Sequence, residues 1–173
     1  MLNQILSNTP RWVWVLLLAL LGLGLSQAVK RTASLKRITI LPLVMVGLSL
    51  SGTLSVFGAD PQWLLVWLAA AALTLALLAR RAPAPGTRYD AAARRFSLPG
   101  SWVPMALILG LFLIKYFVGV ATAMQPTLAH DPAFAASFSA LYGAFSGVFV
   151  ARAARLWKLA LRPQSASASP FAA

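Results

Sequence analysis

The sequence lacks cysteine and glutamate, and its 173 residues include only three aspartates and one histidine. Without cysteine the chain forms no disulfide and offers no thiolate as a nucleophile or metal ligand. The one histidine, His130, stands beside Asp131, and a single imidazole does not build the usual zinc or bis-histidine haem site. We therefore expect no metal and no cofactor.

Catalytic motifs are missing as well. The sequence contains no nucleophile elbow, no Walker motif and no dinucleotide-binding glycine pattern. No acid falls within its long apolar segments, so a carboxylate proton relay inside a membrane is also excluded. These absences favour a protein that is not an enzyme.

Charged residues are scarce, at 10% of the chain, whereas 60% of the residues are hydrophobic and the mean hydropathy is +0.77. Such a composition indicates a polytopic membrane protein. The formal net charge of +12 is typical of nucleic-acid-binding proteins too. Here the cations flank apolar runs, so we interpret them as membrane-flanking charge and expect no nucleic-acid partner.

Five apolar segments approach or exceed the roughly 20 helical residues that cross about 30 Å of hydrocarbon. The predicted fold class is all-α, a polytopic bundle of five transmembrane helices at residues 12–29, 38–58, 61–79, 101–124 and 133–151. The last helix continues to about residue 161. We predict a single membrane domain at 1–162 and a disordered tail at 163–173. A cleaved signal peptide is the alternative for the first segment, but Lys30 and Arg31 directly after it resist translocation.

The connections between these helices contain prolines and aspartates that indicate where helices begin. Residues 30–37 are predicted to form a short loop, and Pro42 lies near the start of the second helix, where a missing N–H costs least. Asp60 is predicted to cap the third helix. In the long polar stretch that follows, Asp90 is predicted to cap a short helix at 91–96.

Cations are distributed asymmetrically over these connections. The loops at 30–37 and 80–95 and the C-terminal segment hold 13 of the 15 Lys and Arg residues. By the positive-inside rule we predict an N-terminus outside, a C-terminus inside and a multi-pass location in a bacterial inner membrane. The basic loops are expected to contact anionic lipid headgroups.

Lys115 lies in the middle of the fourth predicted helix, about ten residues from its outer end. An ammonium inside a membrane costs about 3 kcal/mol on insertion scales, so it is expected to have a partner, a wet cavity or a function. Hydroxyl groups are the available partners, and we single out Tyr116, Ser139, Tyr142 and Ser55. A hydrogen-bonded or snorkelling structural lysine fits the sequence, and so does a contact with an anion, a lipid headgroup or a quinone.

Small residues recur at four-residue spacing in three helices, which is typical of close helix packing. In the fifth helix, Gly143 and Gly147 form a GxxxG pair that fits a neighbour from this chain or from a second copy, and in the latter case Gly147→Leu should abolish association. The other predicted packing positions are Gly47 and Ser51 in the second helix and Gly119 in the fourth.

A faint internal repeat relates the second and third helices to the fourth and fifth. Each pair has an early proline, Pro42 or Pro104, and turns through an Asp-Pro sequence. Duplication and convergence on the same membrane-protein pattern both explain these features.

Four stretches carry a resemblance to a known family: TPRWVW near the start, PGSWVP at the start of the fourth helix, KYFVGVATAMQP within and after that helix, and LYGAFSGVF in the fifth helix. Together they resemble a family of small, uncharacterised bacterial inner-membrane proteins, from Met1 to about Leu161. The resemblance implies a location and a helix number, and no residue roles.

Two functions follow as hypotheses. The first is a non-enzymatic packing protein, either self-associating or an accessory subunit of a membrane-protein partner. The alternative is a small transporter or permease subunit with an intramembrane anion contact at Lys115. A dry, hydroxyl-lined setting for Lys115 favours the first hypothesis, and an open polar cavity favours the second.

Overall fold

The structure is a computed structural model that describes residues 11–91 and 93–161. Its helices are α1 (Arg11–Ala28), α2 (Leu35–Phe57), α3 (Pro61–Leu78), α4 (Val103–Met124) and α5 (Pro132–Leu161). Three short strands are β1 (Arg31–Ser34), β2 (Arg88–Asp90) and β3 (Arg95–Leu98), and a 3₁₀ turn spans Pro126–His130. The predicted disordered tail at 163–173 lies outside the described residues.

The helices fall close to their predicted positions. Within the described part of the chain, α2, α3, α4 and α5 are long and apolar enough to cross a membrane. The apolar part of α1, Val13–Ala28, belongs with the shorter apolar helices. A fifth crossing and the orientation of the bundle therefore stay predictions.

α2 begins three residues before its predicted start. Ser34 caps it by accepting a hydrogen bond from the backbone N–H of Arg37 at 3.4 Å. Residues 31–37 of the predicted loop are therefore strand β1 and the first turn of the helix. Pro42 consequently lies inside the helix, where it removes the bond to the carbonyl of Ile38, four residues earlier.

The all-α prediction is incomplete, because β1, β3 and β2 form an antiparallel sheet in that order. The predicted short helix at 91–96 is wrong. Asp90 caps a turn there, accepting from the backbone N–H of Ala93 at 3.1 Å, and β2 and β3 form the hairpin on either side. Arg94 takes a left-handed conformation, with φ of 49°, which reverses the chain.

The sheet has its own small core. Ala33 pairs with Phe96 across β1 and β3, and Tyr89 pairs with Phe96 across β2 and β3. Phe96 is fully buried, and Leu156 and Leu159 of α5 pack against this cluster. The sheet therefore closes the end of the bundle at which α5 terminates.

α5 is the central helix, because it packs along both α3 and α2, while α1 packs along α4. The main core joins Met45 of α2, Ile108 and Leu111 of α4, and Tyr142 and Phe149 of α5. At the other end of the bundle Asp60 caps α3 as predicted, accepting from the N–H of Gln62 at 2.9 Å. Asp131 caps α5 in the same way.

Candidate functional site

Lys115 is half-buried on α4 and reaches across to α2. Its Nζ donates to the carbonyl oxygen of Leu48 at 3.1 Å and to the hydroxyl oxygen of Ser51 at 3.0 Å. An ammonium has three N–H groups, and the third has no acceptor within residues 11–91 and 93–161. Lys115 thus links α4 to α2 through two hydrogen bonds, and its third N–H is available to another acceptor.

Small residues share the exposed side of α2 and α4 with Lys115. We call this surface the α2–α4 face, and it consists of Lys115 with Gly47, Ser51 and Gly119. A Cβ atom built on Gly47 or Gly119 meets nothing within 4 Å, and Ser51 is exposed. The predicted packing positions Gly47, Ser51 and Gly119 are therefore open within the chain. α5 packs on a different side of α2, through Ser49 and Gly52.

The other predicted polar residues are not the acceptors of these two Lys115 bonds. Tyr116 is half-buried, and its ring stacks on Phe112 of the same helix with 6.3 Å between centroids. Ser139 and Tyr142 are fully buried on α5, and the ring of Tyr142 covers Gly52. The hydroxyl that bonds Lys115 is Ser51, which the sequence had suggested only as a packing residue.

Gly143 and Gly147 face α3 of the same chain. A Cβ atom on Gly143 would collide with the backbone oxygen of Trp67, and one on Gly147 would lie 2.5 Å from the backbone oxygen of Ala71. These glycines thus let the backbones of α3 and α5 approach. A bulky residue at Gly147 would therefore destabilise the α3–α5 contact within the chain, whether or not the chain associates with another protein.

Ser49 joins three helices, a role that sequence reasoning missed. Its hydroxyl donates to the carbonyl of Tyr142 on α5 at 2.6 Å and accepts from Nε1 of Trp67 on α3 at 3.0 Å. Ser49 is fully buried. Ser49 and the buried Thr53 are four residues apart on α2, and this spacing is the sequence signal that could have indicated the junction.

A model of the family of unknown function (DUF6622) matches residues 1–167. The chain belongs to DUF6622. The predicted membership of an uncharacterised family is thereby confirmed, and the match includes every helix and strand of this DUF6622 protein. No curated protein and no solved structure matches the chain.

In this DUF6622 protein most of the cations lie at one end of the bundle, the end that carries the sheet. β1 pairs with β3, so the basic segments around residues 30–37 and 80–98 lie side by side, and the end of α5 joins them. Twelve of the chain's 15 Lys and Arg residues lie in these three segments. We call this region the basic end.

Arg31 is held in place at the basic end by a polar contact. Its Nη2 donates to Oε1 of the buried Gln27 at 2.9 Å. Burial, and then the like charge of Arg37, lower the pKa of Arg31 from its ordinary value. The crowding of cations here therefore carries an electrostatic cost in the absence of a bound anion.

Proposed function

We propose that this protein is a non-enzymatic multi-pass membrane protein that serves as an accessory subunit. Its partner is a second membrane protein, one of whose transmembrane helices seats on the α2–α4 face. The observation that carries the proposal is Lys115: a half-buried ammonium with one free N–H on a surface of small residues. Small residues allow a second helix to approach, and the free N–H can bond an acceptor on it.

Charge favours a different protein over a second copy. A symmetric dimer centred on the α2–α4 face would bring two Lys115 ammonium groups together in a low-dielectric setting. The chain has only three acids, Asp60, Asp90 and Asp131, and all three lie outside its helices. The complementary partner is therefore a helix that carries a carboxylate or an amide oxygen at the depth of Lys115.

The orientation is part of the same proposal. We infer five crossings, with the N-terminus outside and the basic end on the cytoplasmic side of a bacterial inner membrane. The collection of twelve cations at one end supports it, because such a bias sets orientation in bacterial membrane proteins.

An anion contact in a small transporter is the second candidate. It is supported by the same free N–H and by the absence of any acid that neutralises Lys115 among the described helices. The two bonds of Lys115 to protein oxygens favour the accessory role, because they fit a packed contact better than an open site. If Lys115→Met abolished anion uptake by proteoliposomes, transport would replace association as the function.

Photocrosslinking in native membranes tests the accessory role. Leu54 is exposed at the rim of the α2–α4 face, three residues after Ser51. We therefore choose Leu54 as the position to replace with a photoreactive amino acid. We expect cross-links to a transmembrane peptide of a different protein, with Asp, Glu, Asn or Gln in its apolar stretch. Lys115→Met should reduce the yield about tenfold or more.

Two glycine variants provide the matched control. Gly119→Leu fills the α2–α4 face and should abolish the cross-link, whereas Gly22→Leu on α1 adds the same side chain at another open position and should leave it unchanged. Cross-links to lipid alone, or to a second copy of this chain, would overturn the proposal.

A further inference from the structure

A pocket of about 280 Å³ opens at the basic end, between the C-terminal end of α3 and the last turns of α5. Four cations line it, Arg80 and Arg81 after α3, and Arg155 and Lys158 on α5. None of the described residues that line the pocket is acidic. A concave, uniformly basic site of this kind concentrates positive potential and attracts anions.

Arg155 and Lys158 bond only neutral carbonyl oxygens within the described chain, and Arg155 uses its Nε for the carbonyl of Ala151 in its own helix at 3.3 Å. Arg155 Nη1 donates to the carbonyl of Ala82 at 3.5 Å, and Lys158 Nζ donates to the carbonyl of Ala79 at 3.5 Å. These distances are at the upper limit for a hydrogen bond, and both acceptors are neutral. Most of the donors of these two side chains are therefore available to a ligand.

Like charges act on one another across the pocket. Arg81 and Arg155 are close enough to repel, and Arg155 is also half-buried. An anion between them would replace this repulsion with charge-assisted hydrogen bonds. Arginine is suited to a phosphate in particular, since its planar guanidinium matches two phosphate oxygens at once.

The position of the pocket points to the membrane surface. Leu159 and Pro83 provide apolar walls beside the cations. Trp157 is exposed next to Lys158, and its indole N–H bonds the hydroxyl of Thr39 at 3.1 Å, as expected of a tryptophan at headgroup depth. The volume is far larger than one ordered water needs.

We propose that this pocket binds a phosphate group, as the headgroup phosphate of an anionic lipid or as free inorganic phosphate. In this site Arg155 and Lys158 bind the phosphate from α5, and Arg80 and Arg81 bind it from the segment after α3. The site is separate from the α2–α4 face and does not depend on the accessory role.

Native mass spectrometry of the full chain, released from micelles with added phosphatidylglycerol or phosphatidylcholine, tests the lipid arm. We expect phosphatidylglycerol to be retained preferentially. The double variant Arg155→Gln/Lys158→Gln should weaken that retention roughly 30-fold, at about a tenfold loss per 1.4 kcal/mol and about 1 kcal/mol per cation. The control Lys36→Gln/Arg37→Gln removes two exposed cations from the basic end outside the pocket and should change it little.

Free inorganic phosphate is the other possible ligand. We test it by the thermal unfolding of lipid-free protein in neutral detergent with added inorganic phosphate. Stabilisation by phosphate that the pocket variant loses and the control keeps would identify free phosphate as a ligand. Lipid retention without such stabilisation would identify the headgroup. Should the α5 variant fail to fold, Arg80→Gln/Arg81→Gln tests the same pocket from an exposed segment.

Three results would overturn the proposal. Equal losses in the pocket and control variants would mean that the basic end attracts anions by diffuse charge alone. Unchanged binding in both pocket variants, or no binding of either probe to the wild-type protein, would show that the pocket holds no phosphate.

Discussion

Ser49 holds three helices together through one hydroxyl group, which donates to Tyr142 on α5 and accepts from Trp67 on α3. A half-buried indole N–H between apolar helices has few alternative acceptors, so the Ser49 hydroxyl contributes to the packing of these helices. Neither this junction nor the partner of Lys115 was predicted from the sequence. Lys115 was correctly expected in an apolar helix, but the hydroxyl groups proposed as its partners did not include Ser51. Which side chains meet across helices depends on helix rotation, and mean hydropathy carries no information about rotation.

Replacement of Ser49 by alanine should lower the free energy of unfolding by about 1 to 2 kcal/mol, because the carbonyl of Tyr142 and the N–H of the half-buried Trp67 both lose their hydrogen-bond partner. Titration of bicelle-reconstituted protein with a denaturing detergent measures this difference. Ser55→Ala is the control, since Ser55 is exposed and bonds only the carbonyl of Gly52 in its own helix. Equal effects of the two substitutions would remove Ser49 from its bridging role.

At the scale of elements, the two sets of small residues differ. Gly143 and Gly147 bring α5 against α3, whereas Gly47 and Gly119 face open space. Four-residue spacing looks the same in both cases. The difference arises from which helices are neighbours, and that information is absent from any single segment.

We predict that Gly147→Leu lowers the free energy of unfolding by about 3 kcal/mol, because its side chain must displace Ala71 and Thr74 of α3. Gly47→Leu adds the same atoms where a Cβ meets nothing within 4 Å, and should leave stability within about 0.5 kcal/mol. The same titration compares them. A larger effect at Gly47 than at Gly147 would be inconsistent with the α3–α5 contact described here.

The sheet is the element that the sequence prediction missed. Its strands have only three or four residues each, and β1 pairs with a strand more than 60 residues later. Local patterns that short do not outweigh the turn-forming Pro and Gly residues around them. The helices were predictable because apolar runs of about 20 residues have few alternatives.

Pairing of β1 with β3 can be tested directly, because the chain has no cysteine of its own. Thr32 and Ser97 lie opposite each other in the register. The variant Thr32→Cys/Ser97→Cys should form a disulfide on mild oxidation, seen as a shift in gel mobility that reduction reverses. A control pair, Thr32→Cys with Thr127→Cys at the other end of the bundle, should not. An absent Thr32–Ser97 cross-link would contradict the sheet.

At the scale of the whole molecule, the described chain is a bundle of five apolar helices, four of them long enough to cross a membrane, and its cations are collected at one end. The asymmetry of charge was evident from the sequence. The closure of the basic end was not, because it depends on the sheet and on the α5 extension packing against Phe96. The pocket that we propose to bind phosphate lies at this closure.

Accessibility of single cysteines in intact bacteria tests the central claim, that the basic segments share the cytoplasmic side of a membrane. Lys30→Cys, Arg88→Cys and Thr127→Cys each place an exposed thiol in the cysteine-free chain. With a membrane-impermeant maleimide, we predict labelling of Thr127→Cys in intact cells, and of Lys30→Cys and Arg88→Cys only after the membrane is opened. Labelling of Lys30→Cys and Arg88→Cys from opposite sides, or of both in intact cells, would contradict it.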